Sequence, residues 1–170
     1  WKYNLSYVKI DLQTHVVRNA DEQVVKTPVD IDYSKKHCQI WDTQWRGAGI
    51  PPVISLDSNG QPEFLHVVSE DSLESHRYYY VRRVKGEWIK TPICHANHQW
   101  NSGYLARDKA GVLHAYLPVG EGYLEGGYMD RHGGGRIEHW VSKDQGNQWD
   151  KLRDLPTDQA QYAGWKFNNI

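Results

Sequence analysis

Three stretches of the chain gather the residue types that move protons and hold anions. One is His76-Arg77-Tyr78-Tyr79-Tyr80 and another is Cys94-His95-Ala-Asn-His98-Gln-Trp100; the third, Gly-rich, carries Tyr123, Tyr128, Arg131 and His132. Histidine and tyrosine serve as general acids or bases, and arginine neutralises developing negative charge. His98 is the leading proton-transfer candidate, and His76, which opens a Tyr-rich run, reads equally as a surface residue. Arg131 and His132 sit in a connection, residues 120–135, too long for a simple hairpin, and such loops are disproportionately functional. Arg46 follows Trp45 and reads as a site cation or as a group stacked on that indole.

The two cysteines, Cys38 and Cys94, fall near corresponding junctions of the chain. Three readings stand for them: unpaired buried thiols, a disulfide of a secreted protein, or a zinc site built from Cys94, His95 and His98. The donors suit zinc, but their spacing matches no strong zinc pattern. Asp/Gly turns such as 57–60 could hold a structural calcium, although turns of this composition usually only turn.

These residues need a scaffold, and internal repeats predict one. Trp45-Arg-Gly-Ala-Gly-Ile50 recurs as Trp100-Asn-Ser-Gly-Tyr-Leu105 and Trp165-Lys-Phe-Asn-Asn-Ile170. Asp57-Ser-Asn-Gly60 followed by Phe64-Leu65-His66 recurs as Asp108-Lys-Ala-Gly111 followed by Val112-Leu113-His114, which puts His66 and His114 at equivalent positions with a shared packing or hydrogen-bonding role. Aromatic-Val pairs (Tyr7-Val8, Tyr80-Val81, Trp140-Val141) and Lys-Thr-Pro stretches (Lys26-Thr27-Pro28-Val29, Lys90-Thr91-Pro92-Ile93) repeat in the same order, with Leu155-Pro156 as a weaker copy. Strands are predicted near 50–56, 63–69, 76–84 and 87–93, then near 103–107, 112–118, 136–142 and 149–155. Four short strands per period of about 40 to 50 residues mark a β-propeller blade. A β-sandwich is the alternative, and nothing reads as a long helix.

The expected organisation is all-β: residues 1–44 end one blade, 45–99 and 100–156 form two more, and 157–170 start another. The chain enters a third strand at 3–12 and leaves in a first strand at 165–170, giving about two and a half blades. Propellers close with about 4 to 8, so the remaining blades of a longer propeller, seven in all, are an expected partner.

Composition narrows the function. Lys and Arg number 20 against 21 Asp and Glu, a net charge of -1, which removes the electrostatic basis for non-specific nucleic-acid or anionic-membrane binding. No run approaches the ~20 apolar residues of a membrane span, and no basic-then-apolar leader opens the chain. The 8 Trp and 11 Tyr against 2 Phe favour rings with a polar handle, suited to wet grooves as well as cores. The absent initiator Met points to a processed or truncated chain.

Ser142-Lys-Asp144-Gln-Gly146-Asn-Gln-Trp149 fits the Asp-box pattern S-x-D-x-G-x-x-W in full, a motif whose residue types build a hairpin rather than a catalytic site. With Gly133-Gly-Gly135-Arg-Ile-Glu-His-Trp140 and His98-Gln-Trp-Asn-Ser-Gly103, it resembles the bacterial neuraminidase (BNR) repeat propellers. More narrowly, the chain is similar to the branch containing secreted seven-bladed polysaccharide lyases that cleave ulvan, a sulfated polysaccharide with uronic acids. The resemblance implies a lyase of secreted or periplasmic, bacterial type, acting on an anionic polysaccharide by β-elimination without a required cofactor. It further implies catalytic groups among His98, Arg131, Tyr128 and His76, and substrate contacts among Arg46, His95, Trp100, Tyr123 and His132, gathered on the face formed by blade connectors and second-to-third-strand loops. A non-catalytic carbohydrate-binding propeller and a sialidase-like glycoside hydrolase are the alternatives.

Overall fold

A computed structural model of the chain describes residues 3–48, 51–70, 75–96, 98–119, 136–156 and 161. In chain order its elements are β1 (Leu5–Ser6), β2 (Lys9–Ile10), β3 (Val17–Arg18), α1 (Ile31–His37), β4 (Gln39–Trp41), β5 (Val53–Leu56), β6 (Pro62–Ser69), β7 (His76–Val84), β8 (Glu87–Ala96), β9 (Tyr104–Arg107), β10 (Leu113–Val119), β11 (Arg136–Ser142) and β12 (Asp150–Leu155). Strands β5 to β8 form one antiparallel sheet in sequential order and β9 to β12 form a second; β1 pairs with β4, and β2 with β3. The architecture is all-β, in propeller blades of four antiparallel strands, and all eight blade strands lie close to the positions that the repeats predict.

Side-chain alternation sorts each strand between two neighbours. Strand β6 is buried along its whole length because both of its faces are covered. Leu65 and Val67 join Tyr78, Tyr80, Leu105, Leu113, Ala115 and Leu117 in the core between the two four-stranded sheets. Phe64 and Val81 point the other way, into a smaller core with Leu5 and Ile40.

The hairpins explain the regular spacing. Asp57 Oδ1 accepts from the amides of Asn59 and Gln61, both at 2.8 Å, and Asp108 Oδ1 accepts from those of Ala110 and Val112, both at 2.9 Å. Gly60 and Gly111 close these turns at φ 74° and 84°, a region disfavoured for residues with a Cβ. A third copy escapes sequence reading: Asn19 Oδ1 accepts from Asp21 and Gln23, both at 3.0 Å, with Glu22 at φ 62° where the other copies have glycine.

Between the sheets a carboxylate is sealed in. Glu63 accepts from Tyr80 Oη at 2.5 Å and from Arg107 Nη2 at 2.7 Å, and its side chain is 2% exposed. The connection from 142 to 149 closes over this tie. Gly146 N donates to Ser142 Oγ at 2.8 Å, Ser142 Oγ donates to Asp144 Oδ1 at 2.8 Å, and Asp144 Oδ1 also accepts from Gln148 N at 2.9 Å. Trp149 then meets the Tyr80 ring edge-on, with centroids 5.5 Å apart.

The structure departs from the repeat reading in three places. Residues 26–29 form no strand, unlike Lys90 to Ile93 in β8; the chain instead enters α1, whose first turn is capped by Asp30 Oδ1 accepting from Tyr33 N at 2.7 Å. The expected strand at 3–12 is split into β1 and β2, which pair with different partners. His66 and His114 are not equivalent: Leu113 faces Arg107 across the hairpin as Pro62 faces Leu56, so His114 corresponds to Glu63 and His66 to Leu117. Their surroundings differ accordingly. His66 is buried near Trp41, whereas His114 Nδ1 lies 2.9 Å from His139 Nε2 and its Nε2 lies 3.4 Å from Asp108 Oδ2.

Two glycines separate backbone strain from steric fit. A Cβ at Gly111 meets nothing within 4 Å, but one at Gly146, φ 87°, falls 2.1 Å from Tyr80 Cε1. In urea denaturation, Gly111→Ala is expected to lower unfolding free energy by about 1 kcal/mol from backbone strain alone, and Gly146→Ala by about 3 kcal/mol as the Tyr80 ring is displaced.

Candidate functional site

At the end of the first four-stranded sheet remote from its Asp57 turn, the segment from 42 to 48 lies against β6. Ala48 N donates to Val67 O at 2.8 Å and Ser69 N to Arg46 O at 2.9 Å. Thr43 pins the bend, its Oγ1 donating to Tyr3 O at 2.9 Å and accepting from Gly47 N at 3.0 Å. Gln44 and Trp45 take left-handed φ values of 52° and 61°, uncommon for residues with a Cβ. This backbone leaves the Trp45 indole 55% exposed and turns Arg46 toward the end of β6, where its Nη1 donates to Glu70 O.

Glu70 collects the neighbouring groups. Its Oε1 accepts from Tyr79 Oη at 2.7 Å and lies 2.9 Å from Arg77 Nε. Partial burial pushes the Glu70 carboxyl pKa upward, but the hydrogen bonds from Tyr79 and Arg77 outweigh it and hold the pKa below the ordinary carboxylate value. Arg77 Nη2 lies 3.2 Å from His95 Nε2. Guanidinium only donates, so in this contact His95 Nε2 is the acceptor. Trp41 meets Tyr79 edge-on at 5.0 Å. The open cleft beside this cluster measures about 410 Å³ and is lined by Trp41, Thr43, Arg46, Ser69, Glu70 and Tyr79, among others. The cleft itself presents a guanidinium and a phenol, from Arg46 and Tyr79, with Arg77 and the His95 imidazole in the cluster beside it.

The pairing of β8 sets this arrangement. Arg77 faces His95 while Tyr79 faces Pro92, so β8 carries one extra residue between them. Ile93 belongs to the inter-sheet core and Cys94 packs against it, and His95 is delivered to the opposite face beside Arg77.

Of the residues predicted from sequence, Arg46 and His95 meet at this cluster through Glu70 and Arg77. His98 and His76 are each 2% exposed. His98 Nδ1 accepts from Trp100 N at 2.9 Å, placing the neutral ring's proton on Nε2, and its ring meets Trp100 edge-on at 5.1 Å. Trp100 is 42% exposed. Tyr123, Tyr128, Arg131 and His132 lie outside the described residues. Cys38 and Cys94 are free thiols rather than a disulfide. Burial, with the Glu138 carboxylate, pushes the Cys94 thiol up to about 12, and Cys94 and His95 leave β8 on different faces. Among the described residues no group of three or more His, Cys, Asp and Glu could hold a metal.

Sequence reading passed over Glu70 and, within the His76–Tyr80 stretch, singled out His76 without assigning Arg77 or Tyr79 a role. Tyr78, Tyr79 and Tyr80 look alike in sequence, and only the pairing of β7 turns Tyr79 toward the cleft and its neighbours into the core. The one available signal was alternation from the Tyr80-Val81 pair.

The sequence matches no protein-family model and no curated protein. The fold is similar to that of a solved structure described as a new family of polysaccharide lyase, PL25 ulvan lyase. The TM-score is 0.65 at 14% identity, covering 89% of this chain and 33% of that one. The likeness is one of fold, and this chain spans about a third of the neighbour's length. Among the described residues no helix is long and apolar enough to cross a membrane.

His66 supplies a pH test beneath this surface. Burial lowers its pKa from 6.5 to about 4, and its Nε2 is buried without a hydrogen-bond partner among the described residues. Because the folded pKa is depressed, stability from the neutral ring is full above pH 6.5 and falls as the unfolded chain takes up a proton on acidification toward pH 4. Between pH 7 and 4.5 the wild type is expected to lose about 2 to 3 kcal/mol more unfolding free energy than His66→Leu, read from denaturation curves at both pH values.

Proposed function

We propose that this chain is part of a secreted, seven-bladed propeller lyase that cleaves a uronate-containing, sulfated polysaccharide of the ulvan kind by β-elimination. The observation that carries the reading is the convergence of Arg46, Arg77, Tyr79 and His95 around Glu70 on the connector face. The fold likeness to a polysaccharide lyase supports it.

The chemistry assigns each group a task. Arg46 and Arg77 neutralise the uronate carboxylate, so that the C5 proton becomes acidic. His95 takes that proton through Nε2; the C5 electrons form the C4–C5 double bond as the C4–O4 bond breaks, and Tyr79 gives a proton to the departing O4. Glu70 holds Arg77 and Tyr79 in place until substrate binds. His98 and His76 support this surface from within, and Trp100 offers an exposed ring at the next blade junction. Tyr123, Tyr128, Arg131 and His132, which fall between β10 and β11 in sequence, are further candidates for the set. Charge neutralisation comes from guanidinium groups, so the step as written calls for no metal.

A second reading, carbohydrate binding without cleavage, is favoured by the half-exposed Trp45 and Tyr3, which line one groove of about 400 Å³ with Asn4, Ser34 and Lys35. Aromatic faces with adjacent polar groups suit sugar rings. Incubating the complete protein with ulvan and related uronans, while following ultraviolet absorbance and reducing ends together, separates the two. Rising absorbance is expected, slowed about 100-fold in Arg77→Ala. Reducing ends without absorbance would indicate a hydrolase, and retention on the polymer without either signal a binder; no absorbance gain on any uronan overturns the lyase reading.

A further inference from the structure

A second polar cleft opens at the other end of the same strands, where the hairpin turns of the two four-stranded sheets meet. It measures about 330 Å³ and is bordered by Arg82, Arg83, Arg107 and Lys143, with Asp57 and Glu63 as its acidic residues. Both carboxylates are committed elsewhere. Asp57 Oδ1 is engaged by its own turn amides, and Glu63 is bound by Tyr80 and Arg107. Arg83 is likewise taken, donating to Ala20 O, Asp21 and Gly86 O.

The remaining cations are under-used. Arg107 spends Nη2 on Glu63 and Nη1 on Gly111 O at 3.2 Å, and Arg82 spends Nη2 on Asn147 Oδ1 at 2.7 Å. The Nε–H groups of both are buried with no hydrogen-bond partner among the described residues. Lys143 is exposed on the β11–β12 turn at the cleft rim. Buried donors without acceptors are costly, and two guanidinium groups with an ammonium beside them match an oxyanion that accepts from several directions.

We propose that this cleft is a binding site for a tetrahedral oxyanion, carried as a sulfate or phosphate ester on a sugar, separate from the connector-face cluster. Arg82 and Lys143 supply the attraction, Arg107 supplies a fixed donor held by Glu63, and the Asp57 and Asp108 hairpins form the walls. The site is independent of any cleavage activity, so its test stands apart from the lyase reading.

The test titrates the protein with sodium sulfate, sodium phosphate, glucose 6-sulfate and glucose 6-phosphate at constant ionic strength, with sodium chloride as reference. Amide NMR shifts of Gly111, Lys143 and Gln145 are the readout. Saturable shifts are expected with the oxyanions and not with chloride, and Arg82→Ala with Lys143→Ala should weaken binding about tenfold or more. Lys143→Glu, on an exposed turn that does not hold the fold together, should weaken it as well. Tighter binding of the sugar sulfate than of the sugar phosphate assigns the site to sulfated glycans, and the reverse order to phosphorylated ones. Shifts that stay linear and match chloride, or saturable binding unchanged in both variants, overturn the proposal.

Discussion

A carboxylate enclosed between two sheets is stable only while its partners stay in place. Glu63 leaves the first four-stranded sheet and is met by Tyr80 from the same sheet and Arg107 from the next. Removing Arg107 would leave a buried charge uncompensated, a far larger loss than that of a surface ion pair, and removing Tyr80 would take away a hydrogen bond to that charge. The apolar core alone would let the sheets slide, because hydrophobic contact is non-directional; the Glu63–Arg107 pair and the Trp149–Tyr80 contact fix one relative position. The cleft lined by both sheets at the hairpin end depends on that fixed relation.

The same strands end in two chemically different surfaces. At one end, β6 and β7 close with Ser69, Glu70, Arg77 and Tyr79, and the connector brings in Arg46. At the other end they begin or finish with Glu63, Arg82 and Arg83 beside the hairpin turns. Alternation lets one sheet serve both ends without conflict, since residues facing the inter-sheet core and residues facing β1 and β4 are drawn from different positions of each strand. Glu70 and Glu63 play parallel parts, each organising arginine and tyrosine, but Glu63 is sealed in and Glu70 stands beside an open cleft.

Much of the framework was legible before any coordinates. The eight blade strands follow from Asp/Gly turns and aromatic-Val pairs, because a tight turn constrains residue type and the strand period follows from it. The register inside the hairpins was less legible. Asp57 and Asp108 start identical turns, yet Phe64-Leu65-His66 begins three residues further along than Val112-Leu113-His114, so matching the Leu-His pairs misaligned the strands. The α1 segment was missed because Lys26-Thr27-Pro28-Val29 copies a strand sequence and the helix after it buries no side chain, so no apolar stripe marks it. At the connector face, Arg46 and His95 were identified by residue type, whereas Glu70, Arg77 and Tyr79 needed strand parity that three consecutive tyrosines do not reveal.

The extra residue in β8 has a consequence for how this surface can change over generations. It separates the strand into two registers: from Glu87 to Pro92 the pairing follows the hairpin, and from His95 onward it is offset by one. A deletion of one codon between Pro92 and His95 would restore simple alternation along the whole hairpin and leave His95 opposite Arg77. What such a deletion takes away is one of the two adjacent side chains, Ile93 and Cys94, that the strand turns toward the inter-sheet core. Core packing beneath the rim can therefore change in a single step while the pairing on the connector face is kept.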